Sequence, residues 1–440
     1  MSDAQLRRSL RTFDGVALLI GITIGSGIYS TPSLVARYFV SFASDMATWL
    51  AVGLFVMIGG LIYAELGTRM PHTGGEYAYI TRCFGTFAGF MFGWAQLFII
   101  RTSPGAALAI IATDYIGFFV PLAGWSHTAV ALGILVLVGV FNYVGVHWAS
   151  RFQKVTSIVK VGGLIAFAVL FAVLLGGTEP QLGSRAASLP HSGLLNLIPA
   201  LMLMVFTHTG WDRVGYVAGE MESPRKVIPR SMVLGLGTVL LIYWAVITIY
   251  HNALGMEALR ATVTPATDVA TMMIGPAGAS VVALLAIVSA VSSINGTTMS
   301  ASRVYYAMAR DRLFFRSMGY VHPRFRTPSR AILAHVGWAG VILIVRGSFE
   351  SIAAGMVFAV LLFYTLTTVA LFKLRRERVG EEEAFRMPGY PLLPMLYLGA
   401  VVGLLVVRGV FEWQASLVDL AFVATGLPVS LIWLRYREEE

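Results

Sequence analysis

Two short runs carry the residue types that could do chemistry in this chain. In Gly21-Ile22-Thr23-Ile24-Gly25-Ser26-Gly27-Ile28, three glycines and two hydroxyls interrupt an apolar stretch; in Phe206-Thr207-His208-Thr209-Gly210-Trp211-Asp212, β-branched, polar and glycine residues do the same. A helix broken at such a run exposes main-chain N–H groups where one half begins and carbonyls where the other ends. In the first run the free N–H groups fall at Ser26 and Gly27, with the positive end of a helix dipole behind them. The carbonyls fall near Ile22 and Thr23, and those of the second run near Phe206 and Thr207. A wall for a carboxylate facing a wall for an ammonium suits the α-carbon of an amino-acid zwitterion, with no charged side chain required. The alternative for the first run is a small-residue stripe that lets a neighbouring helix approach, and the matching second break weighs against it. A dinucleotide fingerprint is excluded, because Gly25-Ser-Gly27 lacks its third glycine.

The elements that must position these runs are membrane helices. Of 440 residues 57% are hydrophobic and 12% charged, and the mean hydropathy is +0.75, whereas a soluble domain carries about 25% charged residues. Apolar runs long enough for a bilayer core, about 20 helical residues each, recur near 15–39, 46–66, 84–114, 128–149, 155–176, 194–218, 232–254, 276–308, 329–345, 351–373, 391–408 and 416–434. About twelve transmembrane helices are therefore expected. Continuous runs such as Val130 to Phe141 do not fit the short alternating segments of a β-barrel. The first apolar segment lacks a small-residue cleavage site and reads as a retained helix.

Charge sets the orientation. About 24 of the 32 lysines and arginines fall on one side if the N-terminus is cytosolic, against about four (Arg185, Arg260, Arg346, Arg408) on the other, which places both termini inside. That bias accounts for the net charge of +9, so no nucleic-acid partner is expected. The lone cysteine, Cys83, excludes an internal disulfide and a cysteine metal cluster.

The two broken spans are five apart, the offset of two inverted five-span repeats whose discontinuous helices meet at the midplane to form a substrate site. Charges inside spans are costly and point to function or to a specific partner. Lys160, about five residues into the fifth span, either reaches inward or snorkels to the headgroups. Arg101, midway along the third, either pins that helix against a helix end, the preferred reading, or lines the path. Asp212 reads as a hydrogen-bonding residue, with a proton carrier or a cation attractor as the alternatives. His208 titrates near neutrality when unperturbed, but a lone histidine is more often a satisfied polar contact.

These runs, together with Ser26-Gly-Ile-Tyr-Ser-Thr-Pro32, Glu65-Leu-Gly-Thr-Arg-Met-Pro, Gly74-Gly-Glu-Tyr77, Ile100-Arg-Thr-Ser-Pro104, Gly219-Glu220, Pro224-Arg-Lys-Val-Ile-Pro-Arg230, Asn295-Gly296, Ser302 to Asp311 and His322-Pro-Arg-Phe, resemble the amino acid-polyamine-organocation (APC) superfamily, most closely its L-type amino-acid transporters and their bacterial permease relatives. The resemblance implies an all-α, LeuT-like five-plus-five inverted repeat followed by two C-terminal helices: a cytosolic segment 1–14, a first repeat 15–176, a second 194–373, two further spans within 391–434 and a cytosolic tail 435–440. It implies that Ile22, Thr23, Ser26 and Gly27 hold the substrate backbone, with Gly25 beside them and Phe206, Thr207 and Thr209 opposite, and that Phe206 closes over the substrate as an aromatic gate. Lys160 matches the lysine that replaces the bound sodium of sodium-driven relatives, where carbonyls near Gly21 and Ile22 and the hydroxyls of Ser289 or Ser293 would meet it. His208 and Thr209 depart from the tyrosine, small residues and glycine frequent in the family.

An enzyme is disfavoured by the absence of a zincin, nucleophile-elbow or P-loop motif. A channel suits an asymmetric zwitterion site less well than alternating access does, and a sensor would need a signalling domain that the short connections do not offer. The expectation is a secondary transporter, moving neutral L-amino acids by sodium-independent exchange or with protons. Cationic amino acids or polyamines are the alternative substrates. No cofactor, metal or obligatory protein subunit is expected, and the expected location is a bacterial cytoplasmic membrane.

Overall fold

The computed structural model describes residues 10–25, 27–71, 74–176, 181–183, 195, 197–310, 312–380, 382 and 384–438. Among these residues the regular structure is helical, with one isolated bridge between Leu10 and Met221. Ten helices are long and apolar enough to cross a membrane, or eleven if the pair α1 (Thr12–Thr23) and α2 (Gly27–Ala36), bent by 52°, counts as one span. The sixth expected span forms no single helix of that length. It is a 12-residue helix α8 (Leu197–His208), a turn at Thr209 and Gly210, and a 3-10 segment Trp211–Glu220.

The intervening elements are α3 (Phe42–Arg69), α4 (Glu76–Ala95), which continues through a π-turn at Gln96–Ile100 into α5 (Thr102–Ile116), α6 (Trp125–Val144) and α7 (Val146–Leu174). After the sixth span come α9 (Pro224–Ala261), α10 (Pro265–Arg310), α11 (Ser329–Arg346), α12 (Phe349–Arg376), α13 (Leu392–Phe411), α14 (Trp413–Ala424) and α15 (Gly426–Glu438). Local signals explain several ends. Ser41 and Ser348 accept hydrogen bonds from the N–H groups of Ser44 and Ser351, capping α3 and α12. Pro224 opens α9, where its missing N–H costs nothing.

The broken elements lie at the centre. α1 packs on α9, α2 on α8, and α10 runs between α5 and α7. Leu137, Val140, Ile158, Val173, Leu241 and Val406 remain exposed on the outward faces of long apolar helices, as a lipid-facing surface requires. Charge is also used internally. Glu65, fully buried in α3, accepts from Arg69 (2.9 Å), from Arg375 of α12 (2.6 and 2.5 Å) and from the N–H of Met387 (3.0 Å), tying three parts of the chain together. Arg346 and Arg408, both counted above on the non-cytosolic side, pair with the buried Asp419 of α14, Arg408 being itself buried and 2.7 Å away.

Candidate functional site

The two breaks meet. α1 ends at Thr23, Ile24 turns to extended backbone, and the N–H of Gly25 closes on the Thr23 carbonyl at 2.9 Å before α2 starts at Gly27. Ser26 lies outside the described residues. In the sixth span Gly210 has φ +112°, a conformation that favours glycine. A Cβ there would stand 2.8 Å from Cγ2 of Ile22, so the second break packs directly on the first. A Cβ on Gly27 would stand 3.6 Å from Cγ2 of Thr207. Tyr243 of α9 joins the two: its hydroxyl is 2.9 Å from the carbonyl oxygen of Thr23 and 3.1 Å from that of Thr207, and can donate to either. A carbonyl has two lone pairs, so that of Thr207 remains able to accept from a substrate, whereas that of Thr23 also accepts from the Gly25 N–H.

Beside this junction is a cavity of about 210 Å³. Its lining includes Ile22, Thr23, Gly25, Gly27, Phe206, Thr207, Thr209 and Ser293 from the residues read from sequence, and Gln153, Arg213, Thr297 and Ser300, which were not. It extends past Leu18 of α1, Gln153 of α7 and Ser300 of α10. Alternation of the spans places the start of α1, the start of α7 and the end of α10 on one membrane face. On the opposite side Arg37 pairs with Glu350 (3.7 Å) and donates to the carbonyl of Arg260 (3.2 Å), and the hydroxyl of Tyr115 donates to the carbonyl of Tyr29 (2.8 Å). Phe206 is buried there with its ring edge-on to Phe349 at 5.3 Å.

Lys160 is buried rather than snorkelling, and its ammonium donates to the Gly21 carbonyl at 2.6 Å. The hydroxyls of Ser289 and Ser293 are buried without a hydrogen-bond partner. His208 points away from the cavity. Its Nδ1–H donates to the Met204 carbonyl (2.8 Å), and its ring packs against Trp49 and Tyr243 beside a separate apolar cavity of about 240 Å³.

Arg101 and Asp212 line a third, much smaller cavity with Glu76, Arg213 and Tyr364. Arg101 Nε donates to the Gln96 side chain (2.7 Å), and its guanidinium lies 5.1 Å from the ring centre of Tyr216. Glu76 accepts from the hydroxyls of Tyr63 and Tyr216. Glu76 was visible only as part of a loop motif, and Tyr243 looked like any aromatic in a long apolar helix. Arg213 follows the second break in 3-10 geometry, so no helical periodicity showed which way it faced.

A family model described as amino acid permease matches residues 10–425. The chain is 30% identical over 437 residues to the serine/threonine exchanger SteT of Bacillus subtilis (strain 168), covering 97% of each chain. It is 24% identical over 438 residues to the human b(0,+)-type amino acid transporter 1 (98% of this chain, 89% of the relative). It is 25% identical over 437 residues to the human cystine/glutamate transporter (98% and 86%).

Proposed function

The chain belongs to the amino acid permease family of the APC superfamily, a family of membrane transporters rather than enzymes, and from that premise we propose that it moves neutral L-amino acids by sodium-independent exchange or proton-coupled uptake, through alternating access around the two broken helices. The carrying observation is the junction itself, where two interrupted spans, bridged from behind by the Tyr243 hydroxyl, border one cavity. In this reading the N-terminal end of α2 at Gly27 receives the substrate carboxylate. Carbonyls at Ile22 and Thr207 receive the ammonium and Thr209 completes the wall; the carbonyls of Thr23 and Phe206, expected to be open, already accept from the N–H of Gly25 (2.9 Å) and from the N–H and hydroxyl of Thr209 (3.0 and 2.7 Å).

Phe206 serves as the gate toward the face closed by Arg37 and Glu350, and the cavity's extension past Leu18 and Ser300 corresponds to a state open to the cytosol. Lys160 holds the end of α1 through Gly21 in place of a coupling cation, which supports sodium independence. Exchange is favoured by the likeness to the serine/threonine exchanger of Bacillus subtilis. The five-plus-five division (15–176 and 194–373, then two spans within 391–434), cytosolic termini and a bacterial cytoplasmic membrane belong to the same proposal.

The test is uptake of a panel of radiolabelled amino acids by proteoliposomes of the purified protein, with and without sodium, a proton gradient and internal amino acid. Saturable uptake indifferent to sodium supports the reading. Strict dependence on sodium, or no uptake of any amino acid, contradicts it.

A further inference from the structure

Arg213 has no role in the mechanism above, yet it is the one ionisable side chain among the described residues that line the 210 Å³ cavity. Asp212, Glu76 and Arg101 border only the small cavity next to it, and Arg213 lines both. Its neighbours are provided for: Arg101 by Gln96 and the Tyr216 ring, Glu76 by Tyr63 and Tyr216. The Nε of Arg213 is buried and has no hydrogen-bond partner. The Arg213 side chain lines the cavity, and its guanidinium gains a charge-assisted hydrogen bond there only when something with lone pairs enters. Gln153, Thr297 and Ser300, on the same lining, add neutral hydrogen-bonding groups.

The zwitterionic end of a substrate is internally neutral and, in the reading above, is held by main chain, which leaves Arg213 to meet the side chain. We propose that Arg213 is a specificity determinant, and that the site selects L-amino acids whose side chains end in an oxygen acceptor (hydroxyl or carboxamide and, extending beyond the neutral class proposed above, carboxylate) over hydrocarbon and cationic ones. A hydrocarbon offers the guanidinium no acceptor, and a lysine side chain adds a like charge in a medium of low dielectric constant. Sites built around a buried donor reject partners that lack the acceptor far more strongly than apolar pockets discriminate by size. The inference rests on the cavity being the amino-acid site.

The experiment is competition against radiolabelled alanine uptake in proteoliposomes by asparagine, glutamate, leucine and lysine, in the wild type, Arg213→Leu and Arg213→Lys. In the wild type, asparagine and glutamate should inhibit at concentrations at least about tenfold below leucine, with lysine inert. Arg213→Leu should bring asparagine, glutamate and leucine to within about twofold of one another, whereas Arg213→Lys keeps the glutamate preference. If Arg213→Leu does not transport, the same ratios are read from ligand-induced thermal stabilisation of the purified variant. Alanine uptake without side-chain preference in the wild type, or a preference unchanged in Arg213→Leu, overturns this inference and leaves the amino-acid reading standing. Absence of uptake and of stabilisation by every amino acid overturns both.

Discussion

The ammonium of Lys160 stands 2.6 Å from the carbonyl oxygen of Gly21, less than one turn before α1 ends, and the lysine is buried. A charge from the fifth span thus holds the inner half of the broken first helix at the carbonyl end, where a cation is favoured. Replacing Lys160 with alanine removes a charged hydrogen bond of about 1.5–3 kcal/mol. Transport should fall by roughly tenfold or more, with the protein still monodisperse on gel filtration. Wild-type rates in Lys160→Ala would mean that the lysine is only a packing residue.

Tyr243→Phe removes the hydroxyl that bridges Thr23 and Thr207 without changing shape. A stability loss of about 0.5–1.5 kcal/mol is expected, together with an altered exchange rate, because the bridge spans the two halves that must move. Thermal melts in detergent and initial exchange rates check both; an unchanged melt and rate would show that the bridge is idle.

Gly210→Ala forces an alanine into φ +112° with its Cβ 2.8 Å from Ile22. Strain of roughly 1–3 kcal/mol is expected, with transport largely lost. Gly133→Ala, where an added Cβ meets nothing within 4 Å, is the matched control and should behave as the wild type. Equal activity of the two variants would place the second break away from the site.

Glu65→Gln leaves the buried Arg69 and the mostly buried Arg375 without their shared carboxylate. Removal of one partner from a buried ion pair typically costs about 3–5 kcal/mol. The melting temperature of the variant should drop well below that of Gly133→Ala, and proteolysis between α12 and α13 should accelerate, because the one amide oxygen left cannot serve Arg69, Arg375 and the Met387 N–H together.

Much of the site was legible because glycines and hydroxyls in an apolar run have few structural uses. The breaks at Gly25 to Gly27 and at Gly210 fall where composition placed them, and Lys160, the one buried lysine among the described side chains, points inward as its cost demanded. What escaped reading depended on direction. His208 sits between cavity-lining Thr207 and Thr209 but faces Trp49, since neighbouring residues near a helix end point to different sides. Arg213 lies beyond the break, where no period could be extrapolated. The pairing of Arg346 and Arg408 with Asp419 could not be read, because Asp419 is 73 residues from the first in sequence and meets them only through the packing of α11, α13 and α14. The sixth expected span could be counted as apolar length, but its division into α8 and a 3-10 segment is set by Gly210.

The central claim is that the junction of the two broken helices holds the transported amino acid, and substrate exchange in Gly27→Leu tests it most directly. An added side chain at Gly27 projects toward Thr207 across the junction. In proteoliposomes preloaded with unlabelled amino acid, the wild type should take up labelled amino acid faster than into empty vesicles. Gly27→Leu, eluting and melting like the wild type, should show no exchange. Exchange at the wild-type rate in that variant would place the substrate elsewhere and contradict the claim.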